Sequence, residues 1–260
     1  MNKVIVVVMV LFLTMVYAAY PAFPQNNSLG PANCDLRESF IKTRSYATFT
    51  LAKYRKMPPL KVKIVLNKKN KQESFIPSHV EIYDLSKSKL IQKINAKDKF
   101  DWGWEDNVVY SWVDTDDINF DGYPDLRFLS GWGAMGNESY ATYIYNPNLH
   151  QFEFNKILTE SYSVEIDSKT KQISSYFNGG ACEETWDYYK FVNGKIVRSK
   201  SKWTEIDRTR DKECKDGFGC FMYTGIPRSK PVKTRHKKGD VGNLYYRETM
   251  KIIKEEPACN

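Results

Sequence analysis

Residues 117–126 read Asp-Ile-Asn-Phe-Asp-Gly-Tyr-Pro-Asp-Leu, so oxygen-bearing side chains stand at the first, third, fifth and ninth positions with a glycine at the sixth. Alternate residues of a tight loop converge on one point, and the glycine permits the sharp turn that brings them there. The chemistry this spacing suits is the binding of a hard cation. Asp117, Asn119, Asp121 and Asp125 would supply side-chain oxygens and Tyr123 its backbone carbonyl, with water completing the shell. Ca2+ is the expected ion, because Mg2+ demands octahedral geometry and gives up its water reluctantly. An EF-hand is excluded: the twelfth position is Phe128 where a bidentate Glu would sit, and the flanking segments pattern as strands. The expected role is structural, joining two strands as the ion neutralises the carboxylates of Asp117, Asp121 and Asp125.

The elements that must hold this loop are strands. Residues 61–66 and 80–85 alternate or nearly alternate between apolar and polar, as half-buried strands do. Further strands are expected at 90–94, 108–113, 126–129, 140–145, 151–154, 161–167, 172–177 and 244–252. The sharpest local signal is Asn193-Gly194 between the strand-like runs 187–192 and 195–202, a pair that favours a type I′ hairpin turn because both residues tolerate positive φ. No long helical pattern follows residue 18. The fold class expected is all-β, an antiparallel β-sandwich or a small propeller-like sheet stack with a calcium-binding loop.

The chain opens with Met1-Asn2-Lys3 and an uncharged apolar run over residues 4–16, the layout of a secretory signal peptide. Val16 and Ala18 are small enough to place the cut after Ala18, and no Cys stands there for lipid attachment. The run is shorter than the roughly 20 apolar residues of a membrane span. The division expected is a signal peptide over 1–18, an extended arm over 19–58 and a β-rich calcium-binding domain over 59–256, in a periplasmic or secreted protein with no span after cleavage. An oxidising compartment would allow the five cysteines, Cys34, Cys182, Cys214, Cys220 and Cys259, to form up to two disulfides. Cys214 and Cys220 bracket a turn-like stretch and form one candidate pair. The net charge of +8 is spread over scattered lysines, apart from a dense basic block at 230–238. That block reads as a solvated loop or as a patch drawn to an acidic surface such as an envelope polymer or an enzyme cleft; an exported chain without a binding motif does not point to nucleic acid.

The acidic loop, Ser130-Gly131-Trp132-Gly133 after it, and the run 140–145 ending in Asn146-Pro147 together resemble the calcium loops of FG-GAP and VCBS repeats. More closely, they resemble a family of secreted bacterial proteins with a single such loop, among them periplasmic immunity proteins that inhibit lysozyme-like peptidoglycan hydrolases. The resemblance is sharp over about forty residues and diffuse over 60–197. It implies a bound Ca2+ and a hydrolase or lysozyme as partner. In inhibitors of this kind a loop carrying Ser-Gly and a following Tyr enters the enzyme cleft, which assigns partner binding here to Ser130, Gly131, Trp132, Gly133 and Tyr140. Tyr140 stands farther along than the family's spacing.

The chain is not expected to be an enzyme, a glycosidase-like pair among the carboxylates crowded at the acidic loop being the one catalytic alternative. His79, His150 and His236 are isolated, and no Gly-x-Ser-x-Gly, His-Glu-x-x-His or phosphate-binding glycine loop occurs. Asp114 and Asp116 add to the acidic crowding. Trp102, Trp104, Trp112 and Trp132 flank the loop and suggest the alternative role, a carbohydrate-binding or adhesion module of the cell envelope that stacks sugars on their rings.

Overall fold

The computed structural model describes residues 45–69, 74–95, 113–180, 182–206, 220–230, 246 and 249–258. The expected signal peptide, most of the expected arm, Trp102, Trp104, Trp112, His236, Cys34, Cys214, Cys259 and residues 231–238 of the basic block lie outside them. Among the described residues, no helix is long and apolar enough to cross a membrane.

The fold is all-β, built from three antiparallel sheets whose strands follow one another in chain order. The first holds β1 (Tyr46–Leu51), β2 (Leu60–Lys69), β3 (Ser74–Asp84) and β4 (Lys89–Asn95). The second holds β5 (Val113–Asp114), β6 (Leu126–Trp132), β7 (Glu138–Asn146) and β8 (Gln151–Phe154). A one-turn helix α1 (Lys156–Thr159), capped by the Asn155 side chain accepting from the Leu158 backbone N–H, leads to the third sheet. That sheet runs β9 (Glu165–Asp167), β10 (Gln172–Asn178), β11 (Glu184–Val192), β12 (Lys195–Ile206), β13 (Cys220–Pro227) and β14 (Met250–Pro257).

Alternation sets the layering. In β2 the residues Val62, Ile64 and Leu66 are buried while Lys61 and Lys63 face out, and β3 answers with buried Val80 and Ile82. These side chains meet Leu126, Phe128, Tyr143 and Tyr145 of the second sheet in one core. Ile144, between those two tyrosines, points the other way and packs with Leu158, Ile173 and Tyr189 in a second core against the third sheet. The second sheet is therefore covered on both faces. A third core, Trp203, Phe221, Tyr223, Tyr246 and Met250, lies toward the far edge of the third sheet. The first and second sheets are also joined through Gln92, which donates to the Phe152 carbonyl at 2.7 Å and accepts the Phe152 N–H at 2.9 Å.

Three differences from the sequence expectation have physical reasons. Tyr46–Leu51 falls in the expected arm, yet it pairs with β2 in full register and buries Ala47, Phe49 and Leu51; three inward side chains are too short a pattern to stand out beside a Pro-rich stretch. The strand over Cys220–Pro227 carries no expectation at all, and it is held between β12 and β14. Finally, Cys220 is bonded to Cys182 and not to Cys214. The starts of β11 and β13 flank the same end of β12, where Thr185 pairs with Trp203 and Ile206 with Cys220, so the sheet brings the two sulfurs together. The Asn193-Gly194 turn has φ of 51° and 73°, as a type I′ hairpin requires.

Candidate functional site

The acidic loop is organised by its own side chains. Both Asp117 oxygens accept backbone N–H groups, from Asp121 at 3.0 Å and Gly122 at 2.8 Å. Asn119 Oδ1 accepts the same Asp121 N–H at 3.1 Å, and Asp121 Oδ1 accepts from Tyr123 at 2.9 Å. The oxygens of Asp117 and Asn119 therefore converge on one amide, and the Asn119 amide reaches Asp121 Oδ2 at 2.8 Å. Gly122 has a φ of 86°, and a Cβ there would stand 2.4 Å from the Arg55 guanidinium. Arg55 donates to the Asp121 carbonyl at 2.8 Å and lies over the rings of Tyr54 and Tyr123. Gly122 thus serves both the turn and the close approach of a cation to the outside of the loop.

Asp125 differs from the other acidic residues. It is fully buried and braces the fold: Oδ2 accepts from Ile118 at 2.8 Å and Oδ1 from Tyr145 of β7 at 2.7 Å. Burial pushes its carboxyl up to about 7, against the pull of those two N–H donors. Nearby, burial and the Asp114 carboxylate raise Asp116. Arg127 pairs with Asp114 and donates to the Val164 carbonyl at 2.8 Å, tying the second sheet to the segment before β9.

The donor set is oxygen only, which is the chemistry a calcium ion takes. Each carboxylate or amide oxygen of Asp117, Asn119 and Asp121 accepts a hydrogen bond and keeps further lone pairs. Among the described residues, no group of three or more His, Cys, Asp or Glu side chains is arranged to hold a metal ion. The oxygens that could face a cation are those of Asp117, Asn119 and Asp121 and the Tyr123 carbonyl, whereas the Asp125 oxygens accept from Ile118 and Tyr145.

The segment after the loop is the tip between β6 and β7, and its residues divide sharply. Ser130 donates to Ser139 Oγ at 3.3 Å, and the Gly131 carbonyl accepts from the Ser139 hydroxyl at 3.3 Å; Gly131 pairs with Ser139 in the hairpin ladder, and Ser130 is the residue its register skips. Tyr140 is half-buried: its ring lies 4.9 Å from the Arg127 guanidinium and its hydroxyl donates to Glu138 at 2.9 Å. Burial and the Glu138 carboxylate raise its phenol. Trp132 and Met135, by contrast, are 57% and 61% exposed. Met135 has a φ of 68° and stands between Gly133 and Gly136, glycines that suit a projecting segment, but its own residue type carries no sequence expectation.

The tip is pinned. Gly133 and Asn137 close it with a 2.8 Å backbone bond, and the buried Asn137 side chain exchanges two 2.7 Å bonds with the backbone of Asn178 at the end of β10. Ser163 adds a 2.7 Å bond to the Glu138 carbonyl. Gly131 and Gly133 thus sit in a closed hairpin and not in a free connection.

No protein-family model matches the chain, and no characterised protein matches it in sequence. One solved structure, described as that of a Xanthomonas type IV secretion system related protein, is similar at a TM-score of 0.46 and 16% identity, over 80% of this chain and 93% of that one.

Proposed function

We propose that this is an exported, calcium-binding β protein that inhibits a lysozyme-like peptidoglycan hydrolase by presenting the tip between β6 and β7 to the enzyme. The observation that carries the reading is the pairing of two large, exposed apolar side chains, Trp132 and Met135, with a backbone locked by Asn137. A contact surface ordered before binding loses less entropy on association, and aromatic anchors dominate interface energies. Calcium held by Asp117, Asn119, Asp121 and the Tyr123 carbonyl would fix the base of β6, from which the tip leaves. The net charge of +8 favours encounter with a cleft that carries catalytic carboxylates.

A turbidity assay of cell-wall lysis tests this. The protein at near-stoichiometric concentration is expected to slow a lysozyme-type enzyme, and Trp132→Ala is expected to weaken inhibition by about tenfold or more, with an unchanged melting curve. Parent-like inhibition by Trp132→Ala and Met135→Ala together would remove the tip from the contact. The alternative expected from sequence, a sugar-stacking module, rests on Trp102, Trp104, Trp112 and Trp132, of which Trp132 alone lies among the described residues.

A further inference from the structure

One face of the third sheet carries several polar side chains at buried strand positions. In β11 the buried positions alternate as Thr185, Asp187 and Tyr189, and the paired register on β10 is Phe177, Ser175 and Ile173. The Ile173 and Tyr189 end of this face joins the second core, and at the other end Thr185 pairs with Trp203 of the third core. Farther along, inward positions that a sandwich fills with aliphatic side chains carry Ser175, Thr185 and Asp187, and they line a cleft of about 850 Å³. Polar groups at inward strand positions cost stability unless they are satisfied, so their presence beside a cleft marks a built site.

The floor is a connected hydroxyl network. Asp187 accepts from Ser201, from Tyr246 at 2.9 Å and from Tyr189 at 3.4 Å, and it pairs with Arg198 at 3.4 Å. Tyr189 also shares a 2.9 Å bond with Ser161. With the Tyr246 and Tyr189 protons engaged by this network, those groups offer the cleft oxygen lone pairs, and the Ser175 and Thr185 side chains line it beside them. At the rim Tyr162 and Phe177 pack with ring centroids 5.2 Å apart and remain 42% and 38% exposed. Among the described residues, the charged groups of the lining are two of each sign, Glu160 and Asp187 with Arg198 and Arg228.

We infer that this cleft binds a neutral oligosaccharide, its hydroxyls on the Asp187 network and the apolar face of a sugar ring on Tyr162 and Phe177. A ligand with many hydroxyls, no charge and one apolar face fits each feature of the lining, and the volume falls in the range of small-molecule sites. The inference stands apart from the hydrolase reading, because it uses the face of the third sheet and not the exposed tip side chains.

The test is titration calorimetry and saturation-transfer NMR on the full chain with three probes: a β-linked N-acetylglucosamine trimer, cellotriose and, as the anionic control, a linear triuronide. At least one neutral trisaccharide should bind, more tightly than the triuronide. Phe177→Ala should weaken it about tenfold, the worth of one stacked ring, and Thr185→Val should weaken it without altering the melting curve. Trp132→Ala should leave it unchanged while it reduces inhibition of the hydrolase. Absence of binding by both neutral probes at millimolar concentration, tighter binding of the triuronide, or parent-like affinity in Phe177→Ala would each overturn the inference.

Discussion

The acidic loop and the β6–β7 tip flank the same strand and are stabilised in opposite ways. In the loop, side chains fold inward onto the backbone: Asp117, Asn119, Asp121 and Asp125 all accept N–H groups within or beside it, and Asp125 reaches across to β7. In the tip, one inward side chain, Asn137, secures the turn, and Trp132 and Met135 face solvent. A loop that spends its polar groups on itself becomes a rigid base. A loop closed by a single buried residue leaves its other side chains available for a partner.

The strongest way to break the comparison is Asp125→Ala. It strands the buried N–H donors of Ile118 and Tyr145, and the expected loss is about 3 kcal/mol or more in urea unfolding. A loss below about 1 kcal/mol would show that the strut is dispensable. Next is the ion. Saturation with Ca2+ at one hundred times its Kd should stabilise the parent by about 2.7 kcal/mol, and Asp121→Ala should remove most of that gain. Identical melting curves in calcium and in chelator would end the calcium reading. Asn137→Ala should cost about 1–2 kcal/mol and deprotect the Asn178 amide in hydrogen exchange, with the loop amides of Gly122 and Tyr123 still protected. Loss of protection in both places would mean that the two segments open as one unit.

The smallest effect expected is a control remote from both segments. Glu81 on β3 lies among Lys63, His79 and Tyr83, at 3.1, 3.1 and 2.8 Å. Burial opposes its ionisation, but the hydrogen bonds from Tyr83, Lys63 and His79 prevail and lower its carboxyl from 4.5 to about 2. Because the folded value is depressed, the stabilisation is present above pH 4.5 and is lost as pH falls through about 2. Glu81→Gln should flatten the acid limb of the stability profile in that window, and an unchanged limb would assign it to other carboxylates.

Most strands were legible because alternation is a local property. The runs 61–66, 90–94, 151–154 and 172–177 coincide closely with β2, β4, β8 and β10, and the Asn193-Gly194 turn adopts the backbone its residue types favour. The acidic spacing likewise showed that residues 117–125 fold into a tight loop, since each Asx side chain bonds a backbone N–H a few residues away. The expected strand over 161–167 shortens to Glu165–Asp167, because α1 and the bonds of Ser161 and Ser163 hold its first residues elsewhere. Of the strand expected over 244–252, residues 250–252 open Met250–Pro257 and Tyr246 joins the third core, while residues 244, 245, 247 and 248 lie outside the described residues.

What the sequence determined by itself is the set of short-range patterns: period-two alternation, turn residues and the acidic spacing. Each is written in neighbours that interact whatever the rest of the chain does. Only the tertiary structure decided which partner each long-range group meets. Asp125 becomes a strut because β7 lies against it, Tyr140 turns to Arg127, Cys220 meets Cys182 across β12, and Asp187 gathers Ser201, Arg198 and Tyr246. These contacts join residues up to 59 positions apart. They depend on sheet order and register, which arise from burying several apolar faces at once, and no single segment encodes that.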